Sequence, residues 1–376
     1  MPKTGDTVRA AILLALAATA ILFGCSQEQA EMGSTDIDAE MKALRSKLES
    51  GEQFLREKPF ALRNFNPYAD GQWIGNAVAY GPYREGQAPG AKGPSDAELL
   101  ADLQIIANHW NMIRLYGADG DTRRIVRLID KHELPIKVIQ GIWLEPEEND
   151  PIKREGNIKQ VLLGVELTHR YPQVIAALGV GNETQVFWSA HRMDAEVLIR
   201  YMRAVRNSVT VPVTTADDYL YWNKPESKQV ARESDFIFTH IHPLWNGKTL
   251  DVAVEWIAEI YNELQELHPD REIVIGETGW ATDYNADKTG PGEQGTLIKG
   301  NVGLDAQEQF LIDVNGWIED NRVTTFLFEA FDEPWKGGGP ATPPNEVEKN
   351  WGVFNEDRTP KASFTRFLEH KKSNSE

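Results

Sequence analysis

Short apolar runs alternate with longer helical patterns eight times between about residue 60 and the end of the chain, which predicts an α/β fold, a (β/α)8 barrel. Two further observations support that class. Runs such as Ile136-Lys137-Val138-Ile139 and Ile273-Val274-Ile275 are β-branched and close to continuously apolar, as strands of a covered parallel sheet are. No glycine-rich phosphate fingerprint follows the first run, as the rival open doubly wound sheet would carry. The strands are predicted near 74–80, 112–117, 136–142, 175–181, 211–215, 235–241, 272–277 and 323–331. Between them, Ser95 with Glu98 forms a capping box that opens a helix running to about His109. Residues 250–267 repeat Ala253, Trp256, Ile257, Ile260, Leu264 and Leu267 on one helical face.

Ahead of the barrel, Lys3 and Arg9 precede an apolar run from Ala10 to Phe23, too short to span a bilayer comfortably. Leu22-Phe23-Gly24-Cys25 resembles the lipobox of bacterial lipoproteins. That resemblance implies removal of residues 1–24, acylation of Cys25 and attachment to a lipid bilayer. Ser26 is compatible with the outer membrane, on its periplasmic or surface face. Cys25 is the only cysteine, so no intrachain disulfide forms. Residues 25–60 are polar, with a weak helical pattern from Ala39 to Leu55, and are expected to be a tether; residues 61–372 are expected to form the catalytic domain. The net charge of −18 argues against nucleic acid and other polyanions and suits a neutral partner. A monomer is expected.

In such a barrel, catalytic groups gather at the C-terminal ends of strands. The fourth run ends in Gly179-Val180-Gly181-Asn182-Glu183, and the seventh in Ile275-Gly276-Glu277-Thr278-Gly279-Trp280. Glycoside cleavage needs two carboxyl groups flanking one C–O bond: one donates a proton, the other attacks the anomeric carbon or activates water. Strands four and seven face each other across an eight-stranded barrel, so their end side chains can converge on one sugar. Either glutamate alone reads better as a helix-cap neighbour or a surface ion pair; the two together reverse that balance. Period-two alternation puts Arg114 and Tyr116 on one face, with Arg114 either a donor to Glu277 or a structural ion pair.

Asn182-Glu183 and Glu277 in these positions resemble clan A glycoside hydrolases. Within the clan the chain looks like glycoside hydrolase family 17, the β-1,3-glucanase family. The matching pieces are Arg114-Leu115-Tyr116, Gly181-Asn182-Glu183, Gly276-Glu277-Thr278-Gly279-Trp280 and Phe328-Glu329-Ala330-Phe331-Asp332-Glu333-Pro334-Trp335-Lys336. The resemblance implies retention, with Glu183 the general acid/base and Glu277 the nucleophile. Asn182 would bond the sugar 2-hydroxyl, and Glu333 and Lys336 would line the cleft.

His240 and His242 lie two apart on strand six and share a face; no further ligands at metal-binding spacing accompany them, so no metal or cofactor is expected. They depart from the tyrosine that clan A enzymes often place there, so a hydrogen bond near Glu277, a sugar contact and a packing role all remain open. Tyr80, Trp143, Trp188, Tyr219, Trp222, Trp245, Trp280 and Trp335 all follow strand ends on the presumed active-site side, where aromatic faces suit pyranose rings. Trp256 and Trp317 fall on helical apolar patterns and read as core. Loops 284–303 and 337–349 are long enough to shape a cleft. The leading function is hydrolysis of a β-1,3-glucan. Transglycosylation through the same carboxylates, a β-glucan of another linkage, and a non-catalytic glycan-binding lipoprotein are the alternatives.

Overall fold

In the computed structural model, which describes residues 34–283, 297–336 and 346–374, eight parallel strands close into a barrel. They are β1 (Asn76–Ala79), β2 (Met112–Leu115), β3 (Lys137–Ile142), β4 (Ile175–Asn182), β5 (Val213–Asp218), β6 (Ile237–His240), β7 (Ile273–Thr278) and β8 (Thr325–Leu327), with β8 paired back onto β1. The long helices are α1 (Ser34–Ser50), α2 (Asp96–Ala107), α3 (Gly120–Lys131), α4 (Pro151–Arg170), α5 (Ala195–Arg206), α6 (Leu250–Leu267), α7 (Leu304–Asn321) and α8 (Ala362–Ser373). Every strand overlaps its predicted run. The capping box at Ser95 is formed in both directions, and α6 buries Ala253, Ile257, Ile260 and Leu264, the predicted face.

The core has two compartments. A large one lies between strands and helices. A small one fills the barrel with Ala77, Met112, Ile139, Ala177, Ala216, Phe236, Phe238, Val274 and Phe326. Because alternate residues of a strand share a face, Met112 inside the barrel carries Arg114 inward above it, and Phe236 and Phe238 carry His240.

Two strands break this alternation where the chemistry lies. In β4 the pairing to β5 slips between Gly179 and Asn182; in β7 the pairing to β6 slips so that Thr239 faces Ile275 but His240 faces Glu277. Each slip is an extra residue of the bulge type, which re-aims the side chains beyond it. Without it, Val274 inside the barrel would put Gly276 inward and turn Glu277 out. Glycine is needed at both slips. Gly181 has φ +82°, and a Cβ on Gly276 would lie 2.8 Å from the Phe238 ring and 3.1 Å from Arg114 Nη1.

The segment expected to be a tether is packed from Ser34 onward, so the folded body begins earlier than residue 61. Ile37, Leu44 and Leu48 are buried on one stripe of α1, which packs along α4 with Arg170–Asp38 and Arg45–Glu155 ion pairs. The Phe60 ring then lies under the guanidinium groups of Arg56, Arg206 and Arg271, and Phe65 enters the barrel floor against Phe236, with ring centroids 4.9 Å apart. A polar surface around a narrow apolar stripe hides this docking from composition. Cys25 and the leader 1–24 lie outside the described residues, as do 284–296 and 337–345 of the two loops. Among the described residues no helix is long and apolar enough to cross a membrane.

Candidate active site

The barrel mouth gathers Arg114, Tyr116, Asn182, Glu183, His240, His242 and Glu277. Arg114 Nη1 donates to Glu277 Oε1 at 2.9 Å and to the Gly276 carbonyl at 3.1 Å, and Nη2 donates to Asn182 Oδ1 at 2.5 Å. Tyr116 OH donates to Glu277 Oε1 at 3.0 Å, and His242 Nε2–H to Glu277 Oε2 at 3.0 Å. Glu277 is thus held by Arg114 and Tyr116 at the end of β2 and by His242 just beyond β6; Tyr116 and His242 fill the place where a strand-six tyrosine was expected. Glu183 Oε1 lies 2.8 Å from His240 Nδ1, while Nε2 of the same ring is 3.4 Å from Glu277 Oε1. The two carboxylates therefore stand on opposite nitrogens of one imidazole.

Their environments push them apart. Burial and the negative charge of Glu277 raise the Glu183 carboxyl to about 7. Burial pulls Glu277 the same way, but the charge of Arg114 and the hydrogen bond from His242 outweigh it and hold Glu277 well below the usual carboxylate range. Near neutral pH one is a proton donor and the other an anion. Glu183 also has φ +51°, a left-handed backbone that costs roughly 1–3 kcal/mol at a non-glycine residue and is held only where its surroundings over-determine it. Asp217 supplies part of that: its carboxylate accepts from the N–H groups of Gln185, Val186 and Asp218 and pins the chain just beyond Glu183.

Glu333 and Lys336 stand beside this centre. Lys336 Nζ bonds both oxygens of the buried Glu329, at 2.8 and 2.9 Å, and reaches Glu333 at 2.6 Å. It also lies over the Phe328 ring, whose edge packs on His242. The cluster buttresses the wall behind Glu277. Gly81 makes room for it, since a Cβ there would meet the Glu333 carboxylate.

The aromatic expectations divide. Tyr80 and Trp280 are corrections: both are 1% exposed, Tyr80 bonding Asp102 outside the barrel and Trp280 packed on Phe310 with its N–H on the Asn301 carbonyl. Trp222 is buried as well, its N–H on the Phe238 carbonyl. Tyr219 is buried with its hydroxyl on Asn246, and Trp245 is half-buried against Trp351, which in turn walls His242. In each case the ring packs against a neighbouring aromatic ring instead of facing the barrel mouth as a free platform. Trp143 is half-buried, edge-on to His191, while Trp188 and Trp335 are exposed. Sequence reasoning passes over Asp217, Asp218 and Glu329. The signal was there for the first two, adjacent acids at the end of the fifth strand; Glu329 shows only through its partner Lys336. Among the described residues no His, Cys, Asp and Glu cluster has the makings of a metal site.

A family model described as the BtgE/BtgC glycoside hydrolase domain matches residues 77–352. A protein of Aspergillus terreus named as a probable glucan endo-1,3-beta-glucosidase is 29% identical over 255 residues, covering 65% of this chain and 38% of that protein. The chain spans about two fifths of the length of the first such relatives. A glucan 1,3-beta-glucosidase of Schizosaccharomyces pombe is 26% identical over 276 residues, covering 70% of this chain and 78% of its own. Among solved structures, an endo-laminarinase from Formosa superposes with a TM-score of 0.66 at 21% identity, over 79% of this chain and 88% of that one, a likeness of fold.

Proposed function

This chain belongs to the BtgE/BtgC glycoside hydrolase domain family, and we propose that it cleaves β-1,3-glucan with retention, using Glu183 as general acid/base and Glu277 as nucleophile. The observation that carries this reading is the pair of glutamates on one imidazole, Glu183 half-buried and held protonated, Glu277 buried and ionised. The relatives named above are called glucan 1,3-beta-glucosidases, the Aspergillus one an endo-acting enzyme, which supports the reading.

In the first step a Glu277 oxygen bonds the anomeric carbon, the C–O bond to the leaving sugar breaks, and Glu183 passes its proton to the departing oxygen. In the second, the now ionised Glu183 takes a proton from water, whose oxygen displaces Glu277 and restores both groups. Asn182 has its Oδ1 fixed by Arg114, which leaves its amide N–H groups to meet the sugar 2-hydroxyl, a contact that tightens in an oxocarbenium-like transition state.

A time course of products on laminarin, lichenan and cellulose tests the reading. Shortening of laminarin, with the β-anomer formed first, is expected. Chains longer than the input would mean transfer to a sugar instead of water. Folded Glu183→Ala and Glu277→Ala proteins with normal activity would refute the assignment. Attachment to a membrane through Cys25 is proposed from the sequence alone; membrane association unchanged in Cys25→Ser would reject it.

A further inference from the structure

Arg114, His240 and Glu183 form a chain of contacts in which the proton positions are dictated from one end. Arg114 Nη1 lies 2.8 Å from His240 Nε2. A guanidinium only donates, and it stays charged, so Nε2 must present its lone pair. The single proton of a neutral ring then sits on Nδ1, 2.8 Å from Glu183 Oε1, and is donated to it. We propose that Arg114 locks His240 as the neutral Nδ1–H tautomer, making it a fixed donor to Glu183 that cannot take that glutamate's proton.

The alternative states show what the lock prevents. A ring with a lone pair on Nδ1 would sit at bonding distance from a carboxylic acid and could draw off its proton, leaving an imidazolium–carboxylate pair with nothing to give a leaving group. A doubly protonated ring would set an N–H against the Arg114 N–H and a second positive charge beside the guanidinium. His240 is wholly buried, so water does not relieve either arrangement. Burial, with the charge of Arg114 adding to it and Glu277 opposing, pushes the imidazole down to about 3, in keeping with the geometry. With Oε1 accepting from Nδ1–H, the acid proton of Glu183 is left on Oε2. On the glycosidase reading, on which this catalytic meaning rests, His240 is a positioning residue that keeps the acid charged with its proton between turnovers.

Other ionisable groups also face Glu183: Asp217 and Asp218 from β5, His242 from just beyond β6, Glu277 from β7, Arg114 from β2 and His191 from the segment that follows Glu183. Glu348 approaches from the turn at 346–349. The hydrogen bond from His240 Nδ1–H favours the Glu183 anion directly, so its removal should raise the pH at which Glu183 ionises.

Nitrogen-15 NMR of the histidines in the full chain tests the tautomer between pH 5 and 8, with His240 assigned by its absence in His240→Asn. One ring of the eight is expected to stay neutral, protonated on Nδ1, throughout. An Nε2–H ring, or a ring that charges within that range, overturns the proposal. Two variants test the consequence. His240→Asn keeps an amide nitrogen on Cγ where Nδ1 stood; His240→Phe fills the space without a donor. The alkaline limb of kcat/KM on laminarin should move up by about one pH unit in His240→Phe and stay in place in His240→Asn. Equal shifts in both, or a shift in neither, overturn the donor role. If the wild type leaves laminarin intact while the NMR finds the Nδ1–H ring, the substrate assignment falls and the proton arrangement stands.

Discussion

Glu183→Gln should destroy activity and, above neutral pH, make the protein more stable. Glu183 titrates near 7 in the folded protein against an ordinary value of 4.5, chiefly through burial and then through Glu277. Its folded pKa is therefore the higher one. Below pH 4.5 both states hold the proton and nothing is lost. As pH rises toward 7 the unfolded chain releases the proton while the folded site retains it, so stability falls; above 7 the deficit levels off at about 3 kcal/mol. Glutamine keeps the shape and an oxygen for the His240 Nδ1–H but has no proton to lose, so the deficit disappears. For a chain of this size 3 kcal/mol corresponds to about 4 °C in Tm. Calorimetry of wild type and variant at pH 5 and pH 8 measures it. Glu272, pushed up to about 7 by burial, contributes to both proteins and cancels in the comparison. Asp218, pushed up to about 7 by burial against the opposing Leu220 N–H, with Glu183 adding to the rise, gains from the same change and can only enlarge the effect. Equal loss of Tm from pH 5 to pH 8 in the two proteins would show that Glu183 is not held neutral by its site.

Three further changes address separate parts of the structure. Tyr116→Phe removes a 3.0 Å bond to ionised Glu277; kcat on laminarin should fall about 10- to 100-fold, the range for a hydrogen bond to a charged group, with KM little altered. Gly276→Ala puts a methyl 2.8 Å from Phe238 and 3.1 Å from Arg114, so a loss of about 1–3 kcal/mol in urea unfolding should accompany a drop in kcat. Leu48→Ala hollows the contact of α1 with α4, where Leu48 is fully buried; unfolding should show a loss of about 2–5 kcal/mol, with kcat/KM unchanged at 25 °C.

The barrel was legible because its strands are continuous apolar runs and its helices carry a 3.6-residue stripe, signals that need no knowledge of tertiary contacts. Arg114 and Tyr116 were legible for the same reason: simple alternation along β2 carries both inward. Glu183 and Glu277 were found by position at strand ends, yet for Glu277 alternation from Val274 points the wrong way, since it follows a slip in the ladder. The aromatic subsites were least legible. Trp280 and Trp335 both follow strand ends, and only their surroundings tell wall from platform: Trp280 is buried on Phe310, while Trp335 stays partly exposed beside Tyr83. The docking of α1 was hidden because a narrow apolar stripe in a charged helix, of which Ile37, Leu44 and Leu48 end up buried, looks like a solvated spacer until α4 is placed beside it.

The slips in β4 and β7 separate what makes this molecule stand from what makes it work. Removal of one residue at either place should bring the pairing across that slip back into step, at the strand ends and away from the barrel floor. A chain edited in that way would keep its architecture while pointing a key acid at the helices instead of at the sugar. Loss of function without loss of fold is thus available here through single-residue deletions, and screens that score only folding would pass such chains as sound.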